Sequence, residues 1–197
     1  DDASGASRGV SMAWTGSIFG LVWTDDRDGN EEIYAAIVAD DCTVLATGIR
    51  LTNDASASTS PSVAWNGTHF AVAWIDARGG TPGVWMCLFG TDGAKVGSDV
   101  QVPGVIGEAA SPSIAASGSI HGLAWAESIG GEWGVMFAIV DDALAPAGPA
   151  LRVSPAGSDG TMPGVVASDP GFGVAWEGDS TGAAEVMLAI LGPWSCP

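Results

Sequence analysis

The stretch PSVAWNGTHFAVAWIDARGG, residues 61–80, holds two short runs of alternating apolar residues joined by the turn NGT. The same pattern recurs along the chain at a spacing of 51 residues. A repeat of this length is typical of stacked or circular arrays, so we predict one domain, residues 1–197, built from repeats. The tryptophans that mark the period are Trp23, Trp74, Trp125 and Trp176. The four repeats run over 10–60, 61–111, 112–162 and 163–197.

Each repeat has a hydrophobic period of two, broken by Gly, Pro, Asp and Ser every few residues, which is typical of short antiparallel strands. No segment shows the 3.6-residue period of a helix. Three strands are predicted in every repeat, and a weaker fourth strand in the first three. The last predicted strand is 185–191, which leaves the fourth repeat with three strands. We therefore expect an all-β fold whose last repeat is incomplete.

The second strand of each repeat has one bulky face and one small face. In repeat two, Phe70, Val72 and Trp74 alternate with Ala71 and Ala73. Successive strand residues point to opposite sides, and protein interiors are close-packed, so a bulky face on one sheet needs a small face on its neighbour. A series of such sheets, each stacked on the next, predicts a four-bladed β-propeller. The repeated tryptophans then lie between blades and not in a binding site.

The repeats also resemble those of known proteins. The unit at 61–80 is similar to tandem propeller repeats of secreted bacterial proteins, and TDDRDGNEEIY, residues 24–34, resembles part of the TolB-type propeller blade. Four units in a chain of this length are similar in size to the hemopexin-type propeller. The resemblance implies a secreted or cell-surface propeller. It implies no particular activity, because propellers carry many unrelated functions.

The chain carries 23 acidic residues against 6 basic ones, a net charge of −17. Nucleic-acid binders draw their affinity from Lys and Arg that neutralise phosphates, so nucleic acid is not an expected partner. No apolar stretch approaches the ~20 residues of a membrane helix, and membrane insertion is not expected. In a propeller, most of these acids fall on the end that holds the loops between second and third strands. That end should be strongly negative and suit a cation or a basic surface.

Three cysteines differ in their position in the repeat. Cys87 replaces the alanine of other third strands, so we expect it to be buried and inert. Cys42 and Cys196 follow the third strands of repeats one and four, which are neighbours only if the blades close into a ring. A disulfide between them would latch the ring and indicate an oxidising compartment. The alternatives are two unpaired thiols and a segment of a longer array.

The densest acidic cluster offers several oxygen ligands beside a turn glycine, the chemistry that a hard cation prefers. The candidate ligands for Ca²⁺ in this loop are Asp25, Asp26, Asp28 and Asn30. The alternative is that Asp25 and Arg27 form a turn-stabilising pair, with Asp and Asn bonded to local backbone. The hemopexin-type resemblance implies a second location for a metal, held by backbone carbonyls in the central channel.

Catalytic residues cannot be recognised in the sequence. The two histidines, His69 and His121, lie in no triad and in no zinc-binding spacing. Trp133 and Trp194 have no counterpart in the other repeats, and they are the candidate platforms for a carbohydrate or another ligand.

We therefore predict a secreted, non-enzymatic binding module that presents its acidic end to a ligand, a cation or a protein partner. One alternative is a hydrolase or lyase that uses carboxylates at the channel mouth. Such an enzyme should have carboxylates of raised pKa beside a deep pocket. Another alternative is a structural segment of a larger surface assembly, which should have an apolar face or a strand edge in contact with another chain.

Overall fold

The computed structural model of the chain describes residues 5–168, 171–179 and 183–192. These residues form four antiparallel sheets, and the strands of each sheet follow one another in the sequence. The described residues contain no helix, and therefore none that could span a membrane. The predicted all-β fold, with four repeats as the blades of a β-propeller, is confirmed.

The strands have the following bounds. The first sheet contains β1 (Ser7–Trp14), β2 (Ile18–Asp25), β3 (Glu32–Ala39) and β4 (Val44–Arg50). The second contains β5 (Ser58–Trp65), β6 (Phe70–Asp76), β7 (Gly83–Phe89) and β8 (Lys95–Gln101). The third contains β9 (Glu108–Ser117), β10 (Ile120–Ile129), β11 (Glu132–Asp141) and β12 (Leu151–Arg152). The fourth contains β13 (Asp159–Ser168), β14 (Gly171–Asp179) and β15 (Ala184–Leu191).

The first strand of every sheet begins earlier than the sequence predicts, because it contains a β-bulge. The register shifts at one position of the repeat in all four sheets. A proline follows this position in three repeats, where the bulge removes the need for a ladder N–H. The residues at the bulge have positive φ angles: Gly9 (63°), Ser60 (54°), Ser111 (49°) and Met162 (49°).

The fourth strand of the third sheet is shorter than predicted. In residues 144–153, where the sequence predicts this strand, only Leu151–Arg152 pairs with β11, together with a single bridge between Val140 and Pro146. Pro146 and Pro149 explain the difference, because proline cannot donate to a sheet ladder. The fourth sheet has three strands in the described part of the chain, as expected for an incomplete last repeat.

Three apolar cores hold the array together, and each core joins two consecutive sheets. Trp74, Trp125 and Trp176 are buried in these cores, as predicted. The prediction is wrong for Trp23, which is half-buried and lines a cavity on the outward face of the first sheet, where no preceding sheet covers it in the described part of the chain. Cys87 is also buried, and burial raises the pKa of its thiol to about 12, which keeps it protonated and unreactive.

The first strands of consecutive sheets lie side by side along the axis of the array. The backbone N–H of Val63 in β5 donates to the Ser11 hydroxyl of β1 at 3.2 Å. The equivalent bonds run from Ile114 to Ser62 and from Val165 to Ser113. The first strands are therefore the innermost strands of the array and lie next to its axis.

Aromatic rings of one sheet pack on glycines of the preceding sheet. A Cβ on Gly20 would lie 2.5 Å from the ring of Phe70, and one on Gly122 would lie 2.6 Å from the ring of Phe172. The predicted stacking is thus confirmed, and its direction is fixed. The bulky face of each sheet packs on the small face of the sheet before it.

None of the three cores joins the first sheet to the fourth in the described part of the chain. Apolar side chains on the outward faces of both sheets are exposed. The array is therefore open in this structure, whereas the proposed disulfide requires a closed ring. Cys42 is exposed, and Cys196 lies outside the described residues, so their pairing stays a prediction.

Candidate functional site

A carboxylate two residues after the repeated tryptophan accepts a hydrogen bond from its indole in the first three repeats. The donor and acceptor pairs are Trp23 and Asp25 (2.9 Å), Trp74 and Asp76 (3.1 Å), and Trp125 and Glu127 (2.9 Å). In the fourth repeat Gly178 takes this position, and the indole nitrogen of Trp176 has no hydrogen-bond partner among the described residues. These buried acids hold the end of the second strand, so they do not contribute to an exposed negative surface.

Both carboxylate oxygens of Asp25, the first predicted calcium ligand, accept hydrogen bonds from protein side chains. The Arg27 side chain donates to both oxygens at 2.6 and 2.8 Å, and the Ser7 hydroxyl donates at 2.7 Å. The bond from Arg27 outweighs burial and holds the pKa of Asp25 well below its usual range. Asp76 repeats this arrangement. Burial alone would raise its pKa, but its bonds to Arg78 dominate and lower it.

The other three calcium candidates also have protein partners at separate places. The structure contains no group of three or more His, Cys, Asp or Glu side chains that could hold a metal within the described ranges. The geometry supports the turn-stabilising alternative for this loop and lends no support to calcium. The contacts are Asp26 with the N–H of Ala6, Asp28 with Arg50, and Asn30 with the carbonyl of Asp54.

Glu32 is a further acid that the sequence placed on the negative end and the structure buries. It accepts bonds from the Thr52 hydroxyl at 2.5 Å and from Arg50 at 3.0 Å. The Ser58 hydroxyl bonds to Asp76 at 3.0 Å and lies 3.4 Å from Glu32, so it links the two buried carboxylates. This network joins the first and second sheets and is structural.

His121 is fully buried, and neither of its ring nitrogens has a well-aligned hydrogen-bond partner among the described residues. Burial lowers the pKa of the imidazole and keeps it neutral. The residue takes the core position that Phe19, Phe70 and Phe172 occupy in the other repeats. It therefore acts as a small aromatic core residue, as the sequence indicated.

Two exposed carboxylates lie at the start of the innermost strands of the third and fourth sheets. Glu108 begins β9 and Asp159 begins β13, whereas the first two repeats have Ala6 and Ala57 at this position. Asp159 Oδ1 accepts the backbone N–H of Trp133 at 3.4 Å. Sequence reasoning counted both acids only as members of the negative end. The change from alanine to acid at one position of the repeat was the signal that could have singled them out.

Trp133, a predicted ligand residue, lies among these acids. It pairs in register with Ser128, which pairs with Glu108 on its other side. Neighbouring strands lie about 4.8 Å apart, so these three residues form a continuous row across the third sheet. On the fourth sheet, Asp179 stands directly opposite Asp159. We call this set, Glu108, Trp133, Asp159 and Asp179, the acidic rim.

The acidic rim does not line either of two cavities found in the structure. These cavities, of about 430 and 400 Å³, lie beside β11 and β12 and on the outward face of the first sheet. The carboxylates with clearly displaced pKa values among the described residues are all displaced downward, so the raised carboxylate pKa expected of an enzyme is not found among them. The other predicted ligand residue, Trp194, lies outside the described residues.

Several solved structures with a similar fold are glycoside hydrolases. An endo-arabinase from Bacteroides thetaiotaomicron matches with a TM-score of 0.65 and 10% identity, over 99% of this chain and 79% of that chain. A thermostable family-43 glycoside hydrolase matches at 0.60 and 11%, over 97% and 76%. An arabinanase from Bacillus subtilis matches at 0.53 and 10%, over 96% and 74%. No protein-family model and no curated protein matches the sequence.

These neighbours overturn the prediction of a non-enzymatic binding module and favour its alternative, a hydrolase. The resemblance to TolB-type repeats stays a prediction. At about a tenth identity, the structural likeness shows the fold alone. The chain is therefore an all-β propeller of four repeats, and several of the solved structures that it resembles are glycoside hydrolases.

Proposed function

We propose that this chain is an extracytoplasmic glycoside hydrolase that cleaves a neutral polysaccharide at the acidic rim. One observation carries the proposal: Glu108 and Asp159 replace alanine at the start of innermost strands, beside the half-buried Trp133. Most glycoside hydrolases use two carboxyl groups on either side of the scissile bond. The match to endo-arabinase and arabinanase structures makes 1,5-α-L-arabinan the first substrate to test.

Asp159 is assigned as the base, because the N–H of Trp133 fixes the orientation of its carboxylate. Glu108 is assigned as the acid that protonates the leaving sugar oxygen, since it holds the matching position on the adjacent sheet. The indole of Trp133 provides a flat apolar surface on which a sugar ring can stack. The net charge of −17 disfavours polyanionic polymers, so the substrate is neutral.

The test is the release of reducing ends from a panel containing arabinan, xylan and polygalacturonate. We expect activity on a neutral polymer and none on polygalacturonate. Glu108→Gln and Asp159→Asn should each lower the rate by about 100-fold or more. Asp40→Asn, an exposed acid between β3 and β4 at the opposite end, is the matched control and should retain the full rate. Retained activity in both rim variants would contradict the assignment, and no hydrolysis of any polymer would contradict the function.

A further inference from the structure

The outward face of the fourth sheet has the composition of a buried blade face. Its third strand presents Val186, Leu188 and Ile190, which are 82%, 66% and 70% exposed. The residues at the same positions in the other three sheets are all buried. They are Ile33, Ala35 and Ile37; Val84, Met86 and Leu88; and Val135, Phe137 and Ile139. The fourth sheet therefore keeps an apolar surface that elsewhere in the array meets a following sheet.

The outward face of the first sheet is the complementary one. It presents the bulky side chains Val10, Met12 and Trp14, which are 68%, 59% and 44% exposed. A cavity of about 400 Å³ opens on this face, and Leu21 and Trp23 contribute to its lining. The bulky face of every other sheet is buried against a preceding sheet. The first sheet thus ends the array with a bulky face on which no small face packs. The fourth sheet ends it with a small face on which no bulky face packs.

The contact between ring and glycine shows how these ends differ from the interior. Gly20 and Gly122 each lie under a phenylalanine ring of the next sheet. Gly173 holds the same position in the fourth sheet, but a Cβ there would first meet Val166 at 3.5 Å, and no ring of the described residues lies on it. Phe19 of the first sheet is half-buried and packs against Trp14 of its own sheet. Among the described residues, therefore, no ring packs on Gly173, and the ring of Phe19 packs on no glycine of another sheet.

The structural comparison favours one further sheet between the two ends. The four sheets match 79%, 76% and 74% of the three glycoside hydrolase chains, so each sheet corresponds to about a fifth of such a chain. About a fifth to a quarter of each chain is left unmatched, which is close to the share of a single sheet. A second copy of this chain would bring four sheets to a space that fits one.

We propose that the two open ends form a slot for one further sheet of this repeat type, with its ring on Gly173 and its glycine under Phe19. The partner is a four-stranded sheet like residues 7–57, which carry both Phe19 and Gly20. This inference does not depend on the catalytic proposal. Ser11, Ser62 and Ser113 each bond to the next sheet, but the fourth repeat has Gly164, so apolar contact carries the new interface.

The test inserts a second copy of residues 7–57 ahead of Ser7 in the full chain. The insertion preserves the 51-residue period and the native link into β1. We expect a monomer in light scattering, a rise in Tm of about 10 °C, and a loss of most of the dye fluorescence that exposed apolar surface gives the original chain. No gain in Tm, or unchanged dye binding, would overturn the proposal.

Gly173→Phe is the control that separates this slot from general stabilisation. Gly173 lies outside the positive-φ region and has no atom within 3.4 Å of its Cβ position, so the original chain should tolerate the change. In the five-sheet chain the new side chain fills the ring position and should cancel most of the rise in Tm. Two results on the original chain would also overturn the proposal. The first is a monomer that does not bind the dye, because this would show that the first and fourth sheets of one chain cover each other. The second is a dimer or a larger assembly of the original chain.

Discussion

The ring of Phe70 lies on the backbone of Gly20, so close that a Cβ at position 20 would stand 2.5 Å from ring atom Cε1. This contact joins the first two sheets. We expect Gly20→Ala to destabilise the chain by about 2 kcal/mol, because overpacking of a close-packed interface forces the ring or the strand to move. Urea denaturation measures the change.

The control for this prediction is Gly173→Ala, at the same position of the repeat but without a ring above it. It should be neutral or stabilise slightly, since alanine reduces the entropy of the unfolded chain. Equal destabilisation by the two alanines would show that the ring does not set the cost.

The middle interface has Ala71 and His121 where its neighbours have glycine and phenylalanine. We expect Ala71→Gly and His121→Phe together to be more stable than the sum of the single changes by about 1 kcal/mol or more. The glycine makes room for the larger ring, and the phenylalanine removes two buried nitrogens without partners. A double-mutant cycle measured in urea tests this, and strict additivity would contradict it.

The same histidine makes stability depend on pH. Burial lowers the pKa of folded His121 below its ordinary value of 6.5. The unfolded chain therefore binds a proton that the folded chain does not, and stability falls as the pH drops below about 6.5. We expect this loss in unfolding curves recorded between pH 7.5 and 5, and a much smaller loss in His121→Phe. Identical pH profiles for the two proteins would contradict the account.

Met162 lies at the bulge of β13 with a φ of 49°, and its side chain is exposed. A non-glycine residue pays a conformational cost there, and the first repeat has Gly9 at this position. We expect Met162→Gly to stabilise the chain by about 1 kcal/mol, net of the entropy that glycine loses. Met162→Ala serves as the comparison and should bring no gain, because alanine keeps the Cβ. A glycine variant no more stable than the alanine variant would show that the bulge stores no strain.

The repeats and their stacking could be predicted from the sequence, because bulky residues such as Phe70 and Trp74 alternate with small residues such as Ala71. This alternation is typical of a strand that is covered on both faces. It did not predict the bulges, although Pro61 and its repeats marked them, because a bulge depends on pairing with a second strand. Nor could it separate Asp25, buried under Arg27, from Asp159 on the rim. Both are acids near a turn, and only the packing of the sheets decides which one meets solvent.

We propose above that the acidic rim hydrolyses glycosidic bonds. The most direct test compares the rate of reducing-end release from 1,5-α-L-arabinan by the unmodified chain and by Asp159→Asn, with circular dichroism to establish that both are folded. We predict measurable release by the unmodified chain and a decrease of about 100-fold or more in the variant. Equal rates from the two folded proteins, or no release by either, would contradict the claim.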